Sequence, residues 1–139
     1  YSNPQSSFVA RFMGFQNLMT VRLHPGSAST FSGPFGLITI PTTHNYLSTT
    51  DTEGTLVIPN HGISLVTPDR KKNAIFEGLV IRKLFQDGNY RIQVATGETV
   101  LNTTTPVGST NLPEIGAHTH IEIDWSTALV VPNDDGIPN

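Results

Sequence analysis

The sequence predicts a mainly β fold, made of small barrels of short antiparallel strands with one short helix ahead of them. Three observations carry this. Only 14% of the 139 residues are charged, well under the usual quarter, while 12 glycines and 10 prolines interrupt the chain at short intervals. Apolar runs are brief and bounded by Gly, Pro, Asn, Asp or Ser, the punctuation of strands and turns. Beyond the opening segment, no window sustains the i, i+3, i+4, i+7 recurrence of an amphipathic helix.

The opening is the exception. Ser6 or Ser7 can cap a helix in which Phe8, Val9 and Phe12 recur at helical spacing, and Gly14 stops it. One or two turns are marginal alone in water, so this segment is expected to dock its phenylalanines against something larger. Strands are then predicted over 18–23, 37–40, 55–58, 63–67, 76–84, 90–95, 99–102, 118–125 and 129–131. Asp87-Gly88, between two apolar runs, signals a hairpin because Gly tolerates the positive φ of primed turns, and Thr96-Gly97-Glu98 signals a second. The segments Ile58-Pro59-Asn60-His61-Gly62-Ile63 and Leu112-Pro113-Glu114-Ile115-Gly116-Ala117 share an apolar-Pro-x-x-Gly pattern leading into a strand. Such an echo suggests two similar small β units, about 16–70 and 74–133, each too small to close a core alone. A barrel of the oligonucleotide/oligosaccharide-binding (OB) type is the natural architecture for strands this short and evenly spaced.

Composition excludes several classes of function. Net charge is −3 with eight Lys and Arg, and the one basic run, Arg70-Lys71-Lys72, reads as a solvated loop, so nucleic acid is not expected as a partner. The absence of cysteine removes disulfides, thiol nucleophiles and Cys-type zinc sites. No apolar run approaches the ~20 residues that a bilayer requires.

No catalytic constellation emerges, since the chain has neither a phosphate loop nor a Gly-x-Ser-x-Gly elbow. The sharpest cluster is His118-Thr-His120-Ile-Glu122-Ile-Asp124, where strand period puts both imidazoles and both carboxylates on one face. His118 and His120 could share a metal. One ion cannot collect all four groups, however, because i to i+4 spans about 13 Å on an extended strand. The expected reading is a solvated polar strand face, with no metal or cofactor. His24, His44 and His61 occupy ordinary turn and loop positions. Trp125, Tyr46 and Tyr90 are the stacking candidates if the chain is a small-ligand or sugar-binding module, although a core role explains Trp125 and Tyr90 more simply.

The opening run Tyr1-Ser-Asn-Pro4-Gln-Ser-Ser-Phe8-Val-Ala-Arg-Phe12-Met-Gly14-Phe-Gln-Asn17 resembles the join from the nucleotide-binding domain of a transporter ATPase into its C-terminal regulatory domain. Glu77-Gly78-Leu79-Val80, Leu84 through Val94, Gly116 through Asp124 and Ala128 through Pro132 look like later pieces of that domain. The sequence thus resembles the C-terminal regulatory (TOBE, OB-type) domain of the ATP-binding subunit of an ABC importer, with an ending most similar to the ferric iron and polyamine branches. The family usually has Arg-Pro-Glu where Thr67-Pro68-Asp69 stands, and molybdate-binding relatives carry Ser-Ala-Arg-Asn where Gly14-Phe15-Gln16-Asn17 stands. The second departure argues against oxyanion binding through Asn17.

The resemblance implies that 1–15 is a helical join from an ATPase domain and that 16–139 is the regulatory domain. It implies a non-catalytic role for this segment, with ATP and Mg bound by the ATPase domain of the same chain. It further implies a homodimer paired through the regulatory domain, indirect contact with the membrane permease, and a peripheral place on the cytoplasmic side of a bacterial or archaeal plasma membrane. A free-standing small-ligand or sugar-binding β module is the alternative, and a metal-dependent barrel enzyme built on His118 and His120 the third reading.

Overall fold

The computed structural model describes residues 3–67, 74–109 and 112–133. Among these residues lie one α-helix, α1 (Ser7–Phe12), three short 3-10 turns, and ten strands: β1 (Asn17–Leu23), β2 (Thr30–Gly33), β3 (Gly36–Thr39), β4 (Glu53–Ile58), β5 (Ile63–Val66), β6 (Ala74–Gln86), β7 (Asn89–Thr96), β8 (Thr99–Pro106), β9 (His118–Ile123) and β10 (Leu129–Val131). The strands form two five-stranded antiparallel sheets, ordered β10-β4-β1-β2-β3 and β5-β9-β6-β7-β8. The mainly β architecture and the short leading helix are those the sequence predicts. Thr67-Pro68-Asp69, apart from Thr67, and Arg70-Lys71-Lys72 lie outside the described residues.

The chain divides into two compact units, Tyr1–Pro59 with Trp125–Asn139, and Asn60–Asp124. Their connectivity is reciprocal. A meander, β1-β2-β3, sits beside β4 in the first unit, and a second, β6-β7-β8, sits beside β9 in the second. After β4 the chain leaves to form β5, the outer neighbour of β9, and after β9 it returns to form β10, the outer neighbour of β4. Each half of the chain therefore lends its last strand to the sheet of the other. The sequence alone groups β10 with 74–133, whereas Leu129, Val130 and Val131 pair with Val57, Leu56 and Thr55 of β4. The echoing Pro-x-x-Gly segments do not mark one unit each, because they lead into β5 and β9, which are neighbours in the second sheet.

In the first unit, Ser6 caps α1 by accepting the Val9 N–H on its hydroxyl at 3.3 Å. Gly14, at φ +94, then turns the chain out of the helix. The docking face is not the expected one. Phe8 and Phe12 are 56% and 84% exposed, stacked on each other with ring centroids 6.4 Å apart. Ala10 is instead fully buried among Val57, Leu129 and Val131, and Ser7 points the same way, donating its N–H to the Pro132 carbonyl at 3.0 Å. Small side chains one turn apart let the short helix lie close on the sheet, a place that bulky rings would hold at a distance.

The second unit shows period two in its burial. Ile92 and Val94 on β7, Leu101 and Thr103 on β8, and Ile121 and Ile123 on β9 all face inward. Asp87 (φ 54) and Gly88 (φ 81) form the two-residue turn from β6 to β7, so both central positions are left-handed as a type I′ turn demands. Strand β6 carries a bulge between Val80 and Arg82, where its pairing with β9 ends and its pairing with β7 continues. Strands β5 and β8, at the two ends of the sheet order, touch each other, which closes the sheet on itself into an OB-like barrel.

Candidate functional site

The closure of the second barrel is built differently from its other seams. No ladder joins β5 to β8. They are pinned by a side chain, the buried Thr103 hydroxyl donating to the Ile63 carbonyl. Since each strand is antiparallel to its neighbour around the sheet, β5 and β8 run in the same direction from that pin. Beyond it lies an open cleft of ≈ 680 Å³. One wall carries Ser64 and Thr67, the other Thr104 and Thr105, and His61 and His118 border it.

The lining is neutral and rich in hydroxyls. Among the described residues that border the cleft there is no Asp, Glu, Lys, Arg or aromatic side chain, and Leu65, Val66, Pro106 and Leu112 supply the apolar part. Such a surface recognises by hydrogen bonds and shape. Among the described residues no fixed charge is available there for charge pairing, and no paired carboxylates for acid–base work.

The strand-face cluster falls as the period requires, with Ile121 and Ile123 buried and His118, His120, Glu122 and Asp124 on the other side of β9. Its members separate chemically. His118 borders the cleft, while His120 Nε2 lies 3.5 Å from Glu77 Oε2 on the adjacent strand β6, opposite which it is registered. Among the described residues, no group of three or more His, Cys, Asp or Glu is arranged to hold a metal ion. The His120–Glu77 pair is largely solvent-exposed at the Glu, so it is worth at most about 1 kcal/mol.

The remaining candidates take structural places. Asn17 is buried at the start of β1 and donates its amide N–H to the Ile58 carbonyl of β4 at 3.1 Å, so its side chain is part of the first sheet. Trp125 meets Phe35 edge-on at 5.7 Å in the first unit. Tyr90 meets Phe85 at 5.5 Å in the second, with Lys83 Nζ 5.3 Å from its ring centroid. Tyr46 is 42% exposed, its hydroxyl accepting from Asn3 at 3.4 Å. None of the three borders the cleft. His44 Nδ1 lies 2.9 Å from the Ala128 carbonyl, and His24 is exposed in a turn. His61 is the one loop histidine that the fold brings to the cleft. The hydroxyl wall itself has a sequence signal, the run Thr103-Thr104-Thr105, which sequence reasoning placed beyond the end of a strand over 99–102.

No known protein-family pattern matches the chain, and no curated protein matches it either. Among solved structures, it is similar to the cytoplasmic molybdate-binding protein ModG, crystallised with molybdate bound. The match has a TM-score of 0.61 at 15% sequence identity and covers 86% of this chain and 97% of that one. The likeness is one of fold. It places this chain in an OB-type architecture without marking it as part of an ATPase or of an iron or polyamine system. Among the described residues, no helix is long and apolar enough to cross a membrane.

Proposed function

We propose that this chain is a non-catalytic, small-ligand-binding regulatory module of the TOBE type serving solute transport. In its finer form it is the C-terminal domain of the ATP-binding subunit of an ABC importer, paired with a twin on the cytoplasmic face of the membrane. ATP and Mg then belong to the ATPase domain of the same chain. The observation that supports this reading is the extent of the likeness, a two-unit OB-type architecture matched over 97% of a molybdate-binding protein. Molybdate is therefore the first solute to test, ahead of ferric iron and polyamines.

Calorimetric titration of the chain with molybdate, and then with ferric citrate and spermidine, tests the ligand-binding part. Saturable binding of one of them supports the reading, and heats no larger than dilution for all three overturn it. The same coverage also favours a second reading, a free-standing ligand-binding module, because the neighbour is almost wholly accounted for by this fold. Translating the coding DNA in frame upstream of the Tyr1 codon separates the two. A phosphate loop and signature motif there establish the importer ATPase, and a start codon close by establishes the free-standing module.

A further inference from the structure

Threonine stands at the cleft where the second barrel elsewhere uses aliphatic side chains. Alternation puts Ile121 and Ile123 of β9 and Leu101 of β8 inside the barrel. Continuing on the same faces, Thr119 precedes Ile121 by two residues, and Thr103 and Thr105 follow Leu101 by two and four. All three threonines therefore belong to the inward-facing set, and all three border the cleft. Valine has nearly the same shape and would fill those places without desolvating a hydroxyl, which is costly unless the group is hydrogen-bonded.

Thr103 has its partner in the Ile63 carbonyl. The hydroxyls of Thr105 and Thr119 have none among the described residues, although both side chains are half-buried. They are open to whatever occupies the cleft. Ser64 and Thr104 add exposed hydroxyls on the two walls, and Leu65, registered opposite Ile121, supplies apolar contact.

That inventory sets what fits. A Ser or Thr hydroxyl donates one hydrogen bond and accepts two, so it is best matched by a guest whose own groups do both, as an alcohol does. A fully charged guest would give up its hydration with no opposite fixed charge on the bordering described residues to replace it. Nor does an aromatic ring border the cleft, among those residues, to receive the C–H face of a pyranose. An open-chain polyol needs no such platform, and it bends to turn its hydroxyls to the threonines and its carbons to Leu65. The volume of ≈ 680 Å³ lies within the range of about 300–1,000 Å³ typical of small-molecule sites.

We propose that the cleft between β5 and β8 is a binding site for a neutral open-chain polyol, with the Thr105 and Thr119 hydroxyls as its principal hydrogen-bonding groups. The site is separate from the transport reading, whose test solutes are all charged. A chain that binds molybdate elsewhere and a polyol here satisfies both, and either can fail alone.

The test is titration of the full chain with sorbitol, read by calorimetry and by amide NMR shifts. Saturable binding with a millimolar or tighter Kd is expected, with the largest shifts at Leu65, Thr105 and Thr119. Thr105→Val and Thr119→Val keep the side-chain size and remove the hydroxyl. Each should weaken sorbitol binding by about three- to ten-fold while the thermal midpoint is retained or raised. Thr105→Ser, which keeps a hydroxyl, should bind like the parent. Shifts that grow linearly without saturation would overturn the site, as would valine variants that bind as the parent does. Methyl glucoside binding more tightly than sorbitol at the same amides would overturn the open-chain assignment. Molybdate moving those amides would also overturn the proposal, since the cleft would then be an oxyanion site.

Discussion

At Ala10 a single methyl decides how the leading helix docks. The side chain is completely buried against Val57, Leu129 and Val131, so Ala10→Leu should cost about 1–3 kcal/mol through overpacking. Phe12 lies two residues on with 84% of its surface in water, and Phe12→Ser should change stability by no more than about 0.5 kcal/mol. Urea denaturation of both variants checks the pair, and the reverse ranking would restore the phenylalanine face as the docking face. Sequence reasoning read the periodicity of the rings correctly but not which side of the helix they occupy. A one-and-a-half-turn helix offers too few positions to separate an aromatic stripe from a small-residue stripe.

Asn17 teaches a related lesson. The sequence argues against oxyanion binding through it, because Gly14-Phe15-Gln16 stands before it in place of Ser-Ala-Arg, and the amide closes a bond to Ile58 inside the first sheet. Asn17→Ala is expected to cost about 1–3 kcal/mol in thermal or urea unfolding, because the buried carbonyl loses its donor. Any effect on solute affinity should follow stability alone. His120→Gln, by contrast, should shift stability by less than about 1 kcal/mol, since the Glu77 partner is 80% exposed.

Among the elements, the longest strand, β6, is tightly constrained by its neighbour β7. Gly78 in β6 has no room for a side chain: a Cβ there would collide with Val94 Cγ1 of β7 and come within 2.9 Å of Thr96 Oγ1. Gly78→Ala should therefore destabilise by about 1–3 kcal/mol and broaden the β6–β7 amide resonances first. Most strands were legible because alternation and turn chemistry agree in them, and the Asp87-Gly88 hairpin is the clearest case. Strand β2 was missed. Its Thr-Phe-Ser-Gly carries one buried residue, Phe31, so it offers no alternation to read, although it forms a two-residue hairpin with β3 across Pro34 and Phe35 and pairs with β1 on its other side. Strand β8 was read too short for the opposite reason. Thr104 and Thr105 look like loop residues until the partner β7 is known, and with that extension went the wall of the cleft.

For the whole molecule, a β-rich architecture of two small OB-like units follows from composition, but the exchange of β5 and β10 does not. Strand patterns fix which face is buried, and nothing in Leu129-Val130-Val131 says which sheet it will edge. Deleting 129–139 is expected to disrupt more than a tail. The first unit loses the strand that covers β4 and two of the three buried residues against which Ala10 rests, so its amides should lose protection while those of β7 and β8 persist longer. Uniform loss across both units, or no loss at all, would contradict that order.

The exchange also sets a timetable for the growing polypeptide. Domains usually fold as they emerge from the ribosome, the N-terminal one first. Here the half made first cannot finish its own sheet until the last strand has been translated, whereas the unit encoded in the middle has all five of its strands in hand by Asp124. The interior segment matures early and the ends meet late. Until they do, the bare edge of β4 is open to any strand in the cell.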